Sequence, residues 1–351
     1  MENNSNHKRR KHYSGKYPKK FEEKYKEQNP EKYSELVEHV VKKGNTPAGM
    51  HISIMVNEIL EVLDIKPGQI GLDATLGYGG HSKAMLSKLE GKGHLYALDV
   101  DPIESEKTKE RLKKAGYFED ILTVKLTNFA NILEVAKTAG GFDFILADLG
   151  VSSMQIDNPK RGFSYKTDGP LDLRMNPQKG DSGAMRLRKI TKEEFTGMLI
   201  ENSDEPYANE ISTEVYSSIK KGHAMDTTTE LREAVKRALQ KCKIPKEDWD
   251  DTYKKSCQRT FQALRIDVNS EFEVLYKFLE GLPHALKDGG RVAILTFHSG
   301  EDRLVKQAFK NYYKEGIFSE ISKDVIRPSK KECFENPRSK STKLRYAIKS
   351  R

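Results

Sequence analysis

Two aspartates, Asp99 and Asp148, and a glycine hairpin at Gly77-Tyr78-Gly79-Gly80 are the residues here whose types and spacing could do chemistry. Each follows an apolar run that reads as a buried strand: Gln69 to Ala74 before the hairpin, His94 to Leu98 before Asp99, Phe142 to Ala147 before Asp148. His81-Ser82 then opens a helical run, Lys83 to Leu89. A strand that breaks into glycines and restarts as a helix lets backbone approach a ligand and presents unpaired N–H groups to it. Asp99 stands twenty positions beyond Gly79, where such folds place a carboxylate against ribose hydroxyls. Together these residues describe an adenosine-type cofactor lying across the carboxyl edge of a sheet. Ser82 occupies the place of a third glycine, so the dinucleotide fingerprint is incomplete. S-adenosylmethionine has no pyrophosphate to cradle, and the pattern favours that methyl donor over a nicotinamide.

Positioning such groups takes a parallel sheet, and the chain alternates as one requires. A helix over Met55 to Leu63 turns Ile54, Ile59, Leu60 and Leu63 inward, and Pro67-Gly68 introduces the first strand. Helix 102–115 starts with Pro102 in its first turn; strand Ile121 to Leu126 and helix 130–138 follow. After Asp148 the rhythm stops in a glycine- and proline-rich loop, 149–177, of the length usually retained for function. Helices are expected over Lys192 to Ile200, Tyr207 to Lys221 and Thr228 to Cys242, the last with Leu231, Val235 and Leu239 on one face. The sheet pattern then resumes. Helix 271–286 buries Phe272, Leu275, Leu279 and Leu282, Asp288-Gly289-Gly290 turns into strand Arg291 to Phe297, helix 301–313 follows, and a strand over Lys343 to Ile348 comes last. The expected class is α/β: a Rossmann-like methyltransferase domain of class I over 51–177 and 261–351, with an inserted helical domain for substrate recognition over 178–260.

Composition narrows the setting. The 351 residues carry a net charge of +9, and residues 1–20 hold seven Lys/Arg against Glu2 alone. That arm, within a basic extension over 1–50, suits a polyanion bound with strong salt dependence, or else is a solvated leader. Phe21 to Lys43 reads as a charged segment ending in a short amphipathic helix, and 44–49 as a linker. Cys242, Cys257 and Cys333 make no metal-type pair and are expected as reduced thiols in a cytoplasmic protein. No run approaches the ~20 apolar residues of a membrane span, and the charged N-terminus has no apolar core of a signal peptide behind it.

Longer segments carry a family resemblance. They are HISIMVNE from His51 to Glu58, LGYGGHS, ADLGVSSMQID from Ala147 to Asp157, and RGFSYKTDGPLDLRM from Arg161 to Met175. RTFQALRIDVNSE from Arg259 to Glu271, FHSGEDR from Phe297 to Arg303 and NPRSKSTKLR from Asn336 to Arg345 complete the set. In this order they resemble the RsmH/MraW methyltransferases, which methylate N4 of a cytidine in small-subunit (16S) ribosomal RNA, in the decoding region. The first fifty residues lie outside the resemblance.

The resemblance implies S-adenosyl-L-methionine as cofactor, with contacts at Gly79, Gly80, His81, Asp99, Phe129, Asp148 and Gln155. Phe129 follows the third strand, where an aromatic can stack on adenine; a core phenylalanine is the competing reading. Methyl transfer to an exocyclic amine needs an acceptor for an N4–H, and Asp148, or a backbone carbonyl beside it, is the expected one. DNA amino-methyltransferases use Asp- or Asn-Pro-Pro-aromatic at this point; here Asp148-Leu149-Gly150-Val151 keeps the acid without the prolines. The 161–175 loop with Arg259, Arg265, Asn269, His298 and Arg303 is expected around a flipped cytidine and its phosphates, a structural salt bridge being the alternative for each arginine. No metal set is expected: His51, His81 and His298 have no nearby cysteines. Two departures stand out: Pro206 in Asp204-Glu205-Pro206-Tyr207 where the family has arginine, and Gly300 where leucine is common. The partner implied is 16S rRNA or the small subunit, with monomer and homodimer both open. Competing functions are an amino-methyltransferase on another nucleic acid and a non-catalytic ribosome-assembly factor.

Overall fold

The computed structural model describes residues 53–351, which fall within one compact unit. The basic arm, the helix expected near 36–41, the linker and His51 lie outside the described residues.

Seven strands form one sheet in the order β3-β2-β1-β4-β5-β7-β6. They are β1 (Ile70–Asp73), β2 (His94–Asp99), β3 (Leu122–Leu126), β4 (Phe142–Asp148), β5 (Leu286–Thr296), β6 (Phe318–Ile321) and β7 (Lys343–Lys349). The first five run parallel, and β7 pairs antiparallel with both β5 and β6. This is the doubly wound, Rossmann-like arrangement with an antiparallel strand inserted near one edge. Its order reverses between β1 and β4, and a ligand crevice opens at that switch point.

Helices cover both faces, so β4 reads as a nearly continuous apolar run. Its Phe144 and Leu146 join a cluster with Met55, Ile59, Leu63, Met85, Leu86 and Leu112. Those residues come from α1 (Val56–Leu63), α2 (Gly80–Leu89) and α3 (Pro102–Lys114), with Met55 immediately before α1. Ile145 and Ala147 face the other cluster, with Ile132, Val135, Leu275, Phe278, Leu279, Leu282 and Phe309. Gly71 makes the close packing possible: a Cβ there would meet the Phe144 ring at 2.0 Å.

On that second face lie α4 (Ile132–Ala139), α11 (Glu271–Ala285) and α12 (Ser299–Lys314). Chain order places α5 (Ser153–Asp157), α6 (Gly183–Lys189), α7 (Lys192–Ser203), α8 (Ala208–Lys220), α9 (Thr228–Gln240) and α10 (Trp249–Asn269) between β4 and α11, and α13 (Lys330–Glu335) before β7. Helices α6 to α10 share a third cluster in which Leu231, Val235 and Leu239 are all buried. Thr227 caps α9, its side chain accepting from Glu230 N.

Several expectations shift. Helix α10 runs unbroken through position 260, and the loop after Asp148 contains α5. The Asp288-Gly289-Gly290 turn is an irregularity inside β5 rather than a separate lead-in. Phe272 is half-buried, and its ring sits beside His298 at 5.9 Å between centroids. It also fills the space beside Gly300, where a Cβ would meet the Phe272 ring at 2.7 Å. The glycine thus makes room for the phenylalanine. Among the described residues, no helix is long and apolar enough to cross a membrane.

Candidate functional site

The carboxyl ends of β1, β2 and β4 bring three aspartates to the crevice beside the start of α2. Gly79, left-handed at φ 85°, is the residue before α2, and no side chain caps the helix. A Cβ on Gly79 would meet Thr108 at 2.7 Å, so α3 packs directly against the hairpin. Thr108 Oγ1 donates to the Gly77 carbonyl at 2.6 Å, and the Arg111 guanidinium lies 3.8 Å over the Tyr78 ring. The hairpin is therefore held from behind by α3, and the start of α2 has no side-chain cap on its first-turn N–H groups.

Asp99 ends β2. Its oxygens accept from Gly77 N (3.0 Å) and Asp101 N (2.9 Å), and burial pushes its pKa up to about 6. Asp73 ends β1, fully buried; it accepts from Ser82 Oγ at 2.5 Å and Thr75 N at 3.1 Å, and burial raises it too. Sequence reasoning gave Asp73 no role, although it ends a buried strand just as Asp99 and Asp148 do.

Asp148 ends β4. Its Oδ2 lies 3.4 Å from His81 Nδ1, while its Oδ1 is buried with no hydrogen-bond partner. Burial lifts its pKa to about 6; His81 opposes the rise, and Asp73 and Glu301 add to it. The other His81 nitrogen, Nε2, is 2.9 Å from the Ile54 carbonyl. A carbonyl only accepts, so Nε2 carries a proton. The imidazole is thus fixed between the Ile54 carbonyl and Asp148, with Nδ1 turned to Oδ2. His81 thereby orients Oδ2 and leaves Oδ1 open.

Phe129 opens a short 3₁₀ turn after β3, half-buried, with its ring edge-on to Phe278 at 5.2 Å. Gln155 belongs to the capping box of α5 and donates from Nε2 to Asp101 Oδ2 at 3.1 Å. The structure thus gathers Gly79, Gly80, His81, Asp99 and Asp148 around one edge and links Gln155 to it through Asp101. A cationic ligand fits this set: three carboxylates, two of them pushed up to about 6, beside an uncapped helix start.

The residues expected at the acceptor are placed differently. Arg265 forms two 2.8 Å bonds with the Glu271 carboxylate. Asn269 accepts from Met175 N at 2.7 Å and donates to the Leu173 carbonyl at 2.8 Å, fastening the 161–175 loop to α10. His298 caps α12, with Nε2 3.2 Å from Glu301 Oε1. Burial pushes Glu301 up, but His298, Phe297 N–H and Arg265 outweigh it and hold the carboxyl below its usual range. Glu271, His298 and Glu301 cluster closely enough to hold a cation, yet Arg265 already occupies Glu271. Arg259 sits six residues earlier on α10, about 9 Å along its axis, close enough to Glu205 to act on its charge. Arg303 is exposed on α12. Arg265 and Asn269 therefore use their polar atoms within the protein, His298 faces Glu301 with an Nε2 that has no hydrogen-bond partner, and Arg259 and Arg303 stand apart. Two further residues, Asp101 and Arg161, form a buried pair at 2.7 Å. Nothing local in the sequence announced this partnership across sixty residues.

Comparison with known proteins gives a consistent picture. The MraW methylase family matches residues 48–350. Ribosomal RNA small subunit methyltransferase H 1 of Agathobacter rectalis is 67% identical over 350 residues, covering 100% of both chains. The protein of the same description from Lachnoclostridium phytofermentans is 64% identical over 98% of this chain and 93% of its own. Ribosomal RNA small subunit methyltransferase H of Clostridioides difficile is 36% identical over 85% of this chain and 98% of its own. The family match begins near the end of the basic extension, but the Agathobacter protein aligns with the extension too.

Proposed function

The chain belongs to the MraW methylase family, with S-adenosylmethionine as its cofactor, and on that premise we propose that it methylates the exocyclic N4 of a cytidine in small-subunit ribosomal RNA. One observation carries the reading: the buried, unpartnered Oδ1 of Asp148 at the end of β4, beside the glycine hairpin. A buried carboxylate oxygen without a partner is costly unless a ligand completes it.

Bound there, the donor supplies an electrophilic methyl on a cationic sulfur. The chain's own groups do the rest. The hairpin and the first turn of α2 hold the methionyl end, Asp99 takes the ribose hydroxyls beside its two backbone bonds, and Phe129 borders the adenine. Asp148 Oδ1 accepts a hydrogen bond from the cytidine N4 amine, keeping the nitrogen lone pair out of the ring as the N–methyl bond forms and the methyl–sulfur bond breaks, and the proton that N4 sheds passes through Asp148 to solvent. His81 fixes the other oxygen, so the acceptor is preorganised rather than mobile. The loop at 161–175 and the helical segment 178–260, which we take as an inserted recognition domain, border the unstacked base. Arg259 and Arg303 contact flanking phosphates, and the basic arm extends the footprint.

The test is direct. Small ribosomal subunits and, in parallel, duplex DNA are incubated with the purified protein and methyl-labelled donor, and the nucleic acid is digested to nucleosides. Label in N4-methylcytidine is the expected result. Label in another nucleoside would refute the N4 reading, and label only on DNA would refute the RNA reading.

A further inference from the structure

The segment 158–175 runs from the ribose corner to the helical block, and its fastenings are specific. Arg161, buried to 9% exposure, donates from one terminal nitrogen to Asp101 Oδ2 at 2.7 Å. Its other terminal nitrogen donates to the carbonyls of Arg174 (3.0 Å) and Met175 (2.8 Å). Asp101 is fully buried, caps α3 with Oδ1, and donates its own N–H to Asp99 at 2.9 Å. Arg161 therefore reaches the donor-side carboxylate Asp99 in two steps, and through Gln155 on the same Asp101 oxygen it also meets α5. At its far end the segment is tied to α10 by Asn269, and to α9 by Leu171 N on the Asp226 carbonyl (2.7 Å) and Thr228 N on the Gly169 carbonyl (2.9 Å). Leu173, fully buried, is held at φ 64°, a conformation a leucine keeps only when its surroundings dictate it.

A buried ion pair is a poor way to add stability, because the charges lose hydration that apolar packing would not need. What this one does is join two places: the turn that carries Asp99, and the loop that reaches α10 beside the acceptor cluster. We infer that Arg161 is a positioning residue that couples donor binding to acceptor binding. Filling the Asp99 corner stiffens the Asp99–Asp101 turn, and Arg161 transmits that order to the 158–175 loop. The inference rests on the reading of this edge as the donor site and of the loop as an acceptor contact.

The coupling is measurable as a linkage factor: the ratio of small-subunit affinities with and without saturating S-adenosylhomocysteine. About tenfold is expected for the wild-type chain, within the ~5- to 150-fold usual for coupled sites. Arg161→Met should bring the factor close to one while calorimetry still detects donor binding. Arg161→Lys, which keeps the charge but cannot make both sets of bonds, should fall between. Should the Met variant fail to fold, the Lys variant decides, with a drop of about threefold expected. A wild-type factor of one, or a wild-type factor retained in the folded variants, overturns the inference. Absence of donor binding to the wild-type chain would instead overturn the reading of the edge itself.

Discussion

The two sides of the crevice handle charge in opposite ways. At the strand ends, Asp73, Asp99 and Asp148 are buried against hydroxyls, backbone amides and one histidine, and all three carboxyls are pushed up. Around the start of α12, Arg265 pairs with Glu271, Lys343 and Arg345 pair with Asp302, and Glu301 is held below its usual range. Charge around the start of α12 is paired within the protein, whereas among the described residues no Lys or Arg bonds to the three strand-end aspartates. Such a deficit is what a sulfonium and an ammonium group would fill, and it makes the donor side the part of the molecule most sensitive to occupancy.

This contrast can be broken from either side. Arg265→Met should have the largest effect, because it leaves Glu271 buried and alone: a loss of about 3–5 kcal/mol in chemical denaturation, partly restored by adding Glu271→Leu. A loss below ~1 kcal/mol would show that the pair is not integral to that wall. Asp148→Ala acts on the opposite side and should lower kcat by about 10²- to 10³-fold, as for removal of a fixed transition-state partner, with the fold intact. Full activity and full donor affinity in that variant would remove Asp148 from both roles.

The smallest effect, and the sharpest comparison, is with pH. Asp99 and Asp148 have folded pKa values of about 6, above the ~3.9 of an unfolded aspartate. Their contribution to stability is present below about 4 and is lost as pH rises through about 6. The ligand-free protein should therefore gain stability from these two groups between pH 7 and 5, while donor affinity declines over the same range. An Asp99→Asn, Asp148→Asn double variant should lose both trends; if the wild-type chain shows neither, the donor-side deficit is not real.

What could be read in the sequence follows from how local each signal is. A buried strand that ends in Asp is visible in six or seven residues, so Asp99 and Asp148 and the alternating order of β1 to β4 were legible. Helix faces were legible where spacing decides burial, as for Leu231, Val235 and Leu239. Phe272 was misplaced because its surroundings are set by Gly300, distant in sequence. Helix α10 was not expected at all, because its charged first half and its motif-bearing second half look unlike each other. β6 is only four residues long, with two exposed, and periodicity has little to act on there. Partnerships such as Arg161 with Asp101, and Arg265's choice of Glu271 over a phosphate, depend on three-dimensional neighbours and have no local signature.

The continuity of α10 has a practical side for anyone who wishes to trim or transplant the helical segment. At 21 residues it is a rod of about 31 Å, and its last turn meets α11 at Ser270, where φ is 49°. A cut at 260 would leave half a rod on each fragment, with Phe261 and Leu264 stripped of the neighbours that cover them. A graft that carries the whole rod and is spliced at the Ser270 knuckle keeps the lever, and with it the angle at which the segment is presented.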